Sequence, residues 1–180
     1  GRKIVRVRSP PWALSGFHFI QYEECIMGLD MYLSGKRYMS KYYDAEDTAK
    51  IEKVNEIFGV EGIEDGDYGA QEVTFRVAYW RKANAIHKWF VDNCQDGVDE
   101  CQETWVGTES LIQLREVCKT VLDDMSKAAE LLPTESGFFF GSTDYDEFYK
   151  GDLEYTVERL DKILNDPALG KCDFYYQSSW

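Results

Sequence analysis

Residues 76–90, RVAYWRKANAIHKWF, gather Arg76, Arg81, Lys82 and Lys88 around His87, Tyr79, Trp80 and Trp89, with no acidic residue between them. A strand-to-helix junction near Trp80 would place Arg81, Lys82 and Asn84 in a first helical turn. Unpaired backbone N–H groups and the positive end of the helix dipole meet there, so cations normally avoid it. Two basic residues at such an end call for a compensating anion, a phosphate or a carboxylate. Asn84 and His87 would orient that anion by hydrogen bonds, and an imidazole can also serve as an acid or a base. The competing reading is a solvated surface on which these cations pair with the protein's own carboxylates.

A second segment, SGFFFGSTDYDEFY at 136–149, sets three phenylalanines between Gly137 and Gly141 and runs on into Ser142, Thr143 and Asp144. Gly141, Ser142 and Thr143 can present N–H and hydroxyl donors at a helix start, and Trp80 or Phe139 can stack on a base or sugar. Against this, Asp144, Asp146 and Glu147 fit a plainly capped helix, and phenylalanines are more often core. His87, Cys94 and Cys101, with Asp96 and Asp99 between, are spaced too widely for a zinc site, so no metal is expected. No glycine-rich phosphate loop of the usual form and no nucleophile elbow occurs, and no cofactor is expected.

The elements that must carry these residues follow from periodicity. GLDMYL alternates as a half-buried strand that Gly35 should end. Asp44 caps an expected helix with Ile51, Val54 and Phe58 on one face. QEVTFRVAYW is the clearest strand, with Thr74, Arg76, Ala78 and Trp80 sharing one face. The following helix carries Ala83, Ile86 and Phe90 inward. After the short fragment TWV, Ser110 and Gln113 form a capping box before a long helix striped by Leu111, Leu114, Cys118 and Val121. Asp144 with Glu147 should open the last helix, which carries Tyr149, Leu153, Val157, Leu160 and Leu164 inward and stops before Pro167. The aromatic tail CDFYYQSSW reads as a docked strand. The class expected is α+β: one domain over 27–180, three or more helices packed on a small, mostly antiparallel sheet.

With 180 residues, 44% of them hydrophobic and 29% charged, the chain has the balance of a globular domain rather than a disordered one. Its net charge of −13 repels nucleic acid and anionic membrane at long range, so neither is an expected partner. No apolar run is long enough to span a bilayer.

Residues 1–26 read as a translated leader, with the working protein starting at Met27. The codons for Glu23 and Glu24 must spell GARGAR, a purine-rich run like a bacterial ribosome-binding site just upstream of that methionine. Without the leader the charge is more negative still. Arg2, Lys3, Arg6, Arg8, Glu23 and Glu24 are removed, so 20 basic residues become 16, 33 acidic residues become 31, and the net is −15. The four cysteines past Met27 are too few for a disulfide framework, which places the protein in the reducing cytoplasm.

The stretches MGLDMYL, YWRKANAIHKWFVDN, LLPTESGFFFGSTDYDEFY and FYYQSSW together resemble a group of small uncharacterised proteins of tailed bacteriophages and prophages. The similarity runs from Met27 to Trp180. It implies a setting, an accessory protein in the cytoplasm of a bacterial host, and no catalytic residues. From the residues themselves, the leading expectation is a binding protein rather than an enzyme. Its small anionic, nucleotide-like ligand would lie between residues 76–89 and the turn at 137–143. An alternative is an acidic mimic of nucleic acid that occupies a basic cleft of a host protein. A weaker one is a hydrolase or transferase using His87 with a nearby carboxylate.

Overall fold

The structure, a computed structural model, describes residues 28–42, 44–60 and 70–180. The expected leader and start site therefore lie outside the described residues, as does most of the acidic loop after residue 60.

Strand β1 (Asp30–Ser40) buries Met31 and Leu33 by alternation and continues well beyond the expected stop. Gly35 does not end it: that residue pairs with Phe75 on one side and Phe174 on the other. Helix α1 (Ala45–Phe58) starts where expected, with the Asp44 carboxylate accepting from the N–H of Glu46 at 2.9 Å. It buries Ile51 but leaves Phe58 exposed, so only part of the expected face is inward. Strand β2 (Ala70–Arg81) follows, then helix α2 (Asn84–Cys94), strand β3 (Thr104–Val106) and helix α3 (Thr108–Asp123). The expected capping box is not formed, because the N-cap of α3 is Gly107, three residues before Ser110, and it brings no side-chain cap. Its apolar stripe is as expected, with Leu111, Leu114, Cys118 and Val121 buried.

A short helix, α4 (Ala128–Leu131), leads to the phenylalanine turn. Helix α5 (Glu147–Asn165) is capped by Asp146, not Asp144: its carboxylate accepts from the N–H of Phe148 at 2.9 Å and of Tyr149 at 3.1 Å. Strand β4 (Asp173–Ser179) is the docked tail.

The four strands form one antiparallel sheet in the order β2-β1-β4-β3, giving with the five helices an α+β domain among the described residues. Alternation and pairing put Met31, Leu33, Ala78, Trp80, Phe174 and Tyr176 on the face that joins the helical core. Phe90 of α2 stacks on Tyr176 of β4 with ring centroids 4.1 Å apart. No helix among the described residues is long and apolar enough to cross a membrane.

One irregularity decides which residues can meet. The β1–β2 register slips between Leu33 and Ser34, so Leu33 faces Ala78, Ser34 faces Arg76, and Val77 is the extra residue of a bulge. An extra residue reverses the faces of everything before it. Arg76 and Trp80, expected on one face, therefore lie on opposite ones. Arg76 sits on the outer face, its guanidinium 4.5 Å from the centroid of the Tyr32 ring, while Trp80 is buried.

Candidate functional site

The strand-to-helix corner after β2 is tighter than sequence suggests. Strand pairing continues to Arg81, and Lys82 then turns the chain with φ at +61°, in the left-handed region that a lysine seldom occupies. Its N–H donates to the carbonyl of Leu29 at 2.8 Å, and its carbonyl accepts from the N–H of Asn84 at 2.9 Å. Ala83 precedes the helix and brings no side-chain cap, and no acidic residue stands in the first turn of α2. The N–H groups of Ala85 and Ile86, in the first turn, have no acceptor within the helix. Strain held in this way is typical of sites whose geometry serves a purpose other than stability.

The phenylalanine turn is fastened onto this corner by Asn84, which is almost fully buried. Its amide nitrogen donates to the carbonyls of Phe140 at 3.0 Å and Ser142 at 2.8 Å, and its oxygen accepts from the N–H of Glu135 at 3.2 Å. Gly141, with φ at +89°, crosses directly over Lys82. A Cβ at that position would come within 3.2 Å of the Lys82 Cβ and 3.4 Å of its carbonyl oxygen. Only glycine meets both the backbone angle and the close approach without displacement.

Corner and turn thus share a cavity of about 310 Å³, at the small end of the size range of ligand pockets. Of the residues anticipated from sequence, Arg81, Lys82, Asn84, Gly141 and Ser142 line it together. The others lie elsewhere. Arg76 is on the outer face of the sheet. Trp80 is a core residue whose indole N–H donates to the Thr156 hydroxyl at 2.9 Å. Phe139 lines a separate hollow with Phe138 and Trp180. Thr143 is outside the cavity, its carbonyl accepting from the Thr134 hydroxyl at 3.0 Å.

His87 is fully buried behind the corner. One ring nitrogen, Nε2, lies 3.0 Å from the carboxylate of Asp99, and Nδ1 lies 2.8 Å from the Tyr176 hydroxyl. Donation from Nε2–H to Asp99, with Nδ1 accepting from the hydroxyl, satisfies all three groups. The carboxylate that an acid–base role requires is therefore present. Both ring nitrogens are committed, however, and neither is offered to the cavity.

Lys88 is held by Asp92 at 3.0 Å, the surface pairing that the competing reading anticipated. Lys82 has no carboxylate within ion-pair distance among the described residues.

Sequence reasoning missed the opposite side of the cavity, which α5 supplies. Asp146, Phe148, Tyr149, Asp152 and Leu153 line it, along with Thr134 and Asp144. Phe148 is 84% exposed, a large ring left open at the cavity. Asp144 accepts from the Ser142 hydroxyl at 3.1 Å, and Asp146 is engaged by the helix N–H groups. No side chain or backbone N–H among the described residues hydrogen-bonds the carboxylate of Asp152. Burial first, and then the neighbouring Asp146 carboxylate, push its pKa up to about 6. The one signal in the sequence is an aspartate, a poor helix former, set mid-helix beside the apolar positions Tyr149 and Leu153.

A raised carboxylate pKa means the folded chain holds the proton more tightly than the unfolded chain. Stability therefore falls as pH rises from about 3.8 to about 6, and stays reduced above that. Asp152→Asn is expected to stabilise the fold at pH 7 by about 1–2 kcal/mol, after allowance for solvent screening. The gain should disappear at pH 3.5, where both forms are neutral. Urea unfolding at the two pH values measures it, and an equal gain at both would show that the carboxylate carries no such penalty.

Among the described residues no group of histidine, cysteine, aspartate and glutamate side chains is arranged to hold a metal ion. No protein-family model, curated protein or solved structure matches the chain.

Proposed function

We propose that the protein binds a small anionic, nucleotide-like ligand in the cavity between the β2–α2 corner and the start of α5. One observation carries the reading: the first turn of α2, with neither a capping side chain nor an acidic residue, opens on a cavity lined by Arg81 and Lys82. Helix N–H groups and two cations form an environment in which a phosphate or carboxylate is stabilised. Phe148 takes the stacking role that Trp80, enclosed in the core, does not serve. Asn84 contributes by holding the Gly141 turn in place rather than by touching the ligand.

Charge-assisted contacts and one stacked ring support an affinity on the order of micromolar. At a ligand concentration about a hundredfold above the dissociation constant, a bound state adds about 2.7 kcal/mol to stability, or about 5 °C or more in Tm. A thermal-shift series with nucleoside mono- and diphosphates measures this. Lys82→Ala should weaken binding about tenfold or more while leaving the melting temperature of the free protein nearly unchanged. Melting curves that no nucleotide moves, or a response that Lys82→Ala leaves intact, would overturn the reading.

The setting we propose is that of an accessory protein of a tailed phage or prophage, on the strength of the sequence resemblance alone. A gene lying outside any phage-derived region would remove it.

A further inference from the structure

The phenylalanine turn also lines a second hollow, apart from the α2 corner. Of its three rings only Phe140 is core: Phe138 is 93% exposed and Phe139 half-buried. With Trp180 these rings line a space of about 460 Å³, within the size range of small-molecule sites.

Its walls are fastened to the fold. The Phe139 carbonyl accepts from the Leu29 N–H at 3.1 Å, and the Gly137 carbonyl from the Phe140 N–H at 3.2 Å. The Phe140 ring lies so close to Gly137 that a Cβ there would come within 2.7 Å of it. Across the hollow, the Trp180 indole N–H donates to Asp99 at 3.3 Å, and the other oxygen of that carboxylate lies 3.0 Å from Nε2 of His87. A buried imidazole thus anchors an exposed indole through one carboxylate. Phe138 and Phe139 meet edge to face, with centroids 4.9 Å apart at 88°, and Phe140 and Trp180 do so at 6.0 Å and 73°. Rings set near right angles present walls in different directions, as aromatic side chains do around a bound cation.

The charges complement such a guest. Asp92, Asp99 and Glu135 line the hollow, and no lysine or arginine is among its lining residues. Lys88 pairs with Asp92 at 3.0 Å from outside the hollow, and so offsets one of the three carboxylates. Both oxygens of Asp99 are engaged by its two neighbours, so it contributes negative potential more than hydrogen-bonding capacity.

We propose that this hollow is a second site, independent of the anion-binding reading, for a small organic cation with a methylated ammonium head held among Phe138, Phe139 and Trp180.

A primary ammonium is strongly hydrated and demands acceptors that ring faces do not replace. Methyl groups remove that demand and bury apolar surface against the rings while the charge is kept. An uncharged ligand of the same shape would gain the burial alone and would desolvate the carboxylates without compensation. The exposed Phe138 ring, which packs on little of the protein, would be covered only when the ligand is bound.

Titrations of the full chain near neutral pH in low salt test this, followed by NMR at the Trp180 indole N–H and the Phe138 amide. Three probes of similar shape are compared: choline, ethanolamine, and the neutral analogue of choline in which a tert-butyl group replaces the trimethylammonium. Choline is expected to bind about tenfold or more tightly than the neutral analogue, and more tightly than ethanolamine, without moving the amides of Ala85 and Ile86. Trp180→Leu and Phe138→Leu keep apolar bulk but lose the ring face. Each should weaken choline about fivefold or more, with the melting temperature of Phe138→Leu nearly unchanged. Choline binding no more tightly than the neutral analogue would leave an apolar hollow and overturn the proposal. Ethanolamine binding most tightly would assign recognition to the carboxylates and overturn the methylated head. Choline affinity that survives both ring substitutions, or no binding of choline at all, would overturn the site outright, and none of these results bears on the anion site.

Discussion

Asn84→Ala is expected to destabilise the protein by about 3 kcal/mol, and to do so chiefly by releasing the turn at 137–143. The side chain satisfies two carbonyls and one N–H of that segment. Truncation orphans all three, at about 1–3 kcal/mol for each group that stays buried. Phe140 is buried and Ser142 exposed, so water can repair part of the loss at the second carbonyl. Asn84→Asp should be no better, because it sets a carboxylate oxygen against two carbonyl oxygens. Urea unfolding gives the magnitude, and hydrogen exchange at the Glu135 amide gives the location. A loss under 1 kcal/mol, with that amide still protected, would mean the turn is held by other contacts. The candidate site depends on this bond set, since Gly141 reaches Lys82 only while Asn84 ties the turn down.

Tyr176→Ala should be the most damaging single change, at about 4–5 kcal/mol. The side chain is fully buried, stacks on Phe90 and pairs with Leu33 across the sheet. Its hydroxyl also completes the network through His87 to Asp99. Tyr176→Phe separates the two contributions. It keeps the ring and leaves Nδ1 of a fully buried imidazole without a partner, at about 1–3 kcal/mol. If the phenylalanine variant were as unstable as the alanine variant, the polar network and not ring packing would hold this part of the core. If it were as stable as the parent, the network would be dispensable.

The parts of the fold that could be read from sequence are those set by local periodicity. The strand β2, though not its faces, the period-3.6 run of Ala83, Ile86 and Phe90, the stripe of α3 and the apolar tail all form where their patterns place them. Boundaries and faces were less legible, each for a physical reason. Gly35 has too small a side chain to favour a strand, but strands on both sides pair with it. Ser110 has the chemistry of a cap, yet α3 starts on Gly107. The bulge at Val77 has no sequence signature, because any residue can be the extra one, and it moved Arg76 away from the corner.

The site divides in the same way. The meeting of the β2–α2 corner with the phenylalanine turn was anticipated from a cationic cluster and a glycine-bracketed loop, and Arg81, Lys82, Gly141 and Ser142 share the cavity. The burial of Trp80 and His87 was not anticipated, because an aromatic ring in a charged segment serves core and surface equally well. Asp99 reaches His87 from 12 residues downstream across an irregular loop, and Asp152 approaches from another helix. Partners of that kind are fixed by tertiary packing, which no local pattern encodes.

The most direct test of the anion site is a backbone-amide NMR titration with adenosine 5′-monophosphate. The account predicts saturable shifts at Ala85, Ile86 and Gly141, abolished or strongly weakened in Lys82→Ala, with little change at Phe138 and Trp180 in the separate hollow. Amides of the α2 first turn that stay still at millimolar nucleotide, or that move only in the linear, unsaturable manner of a salt effect, would contradict it.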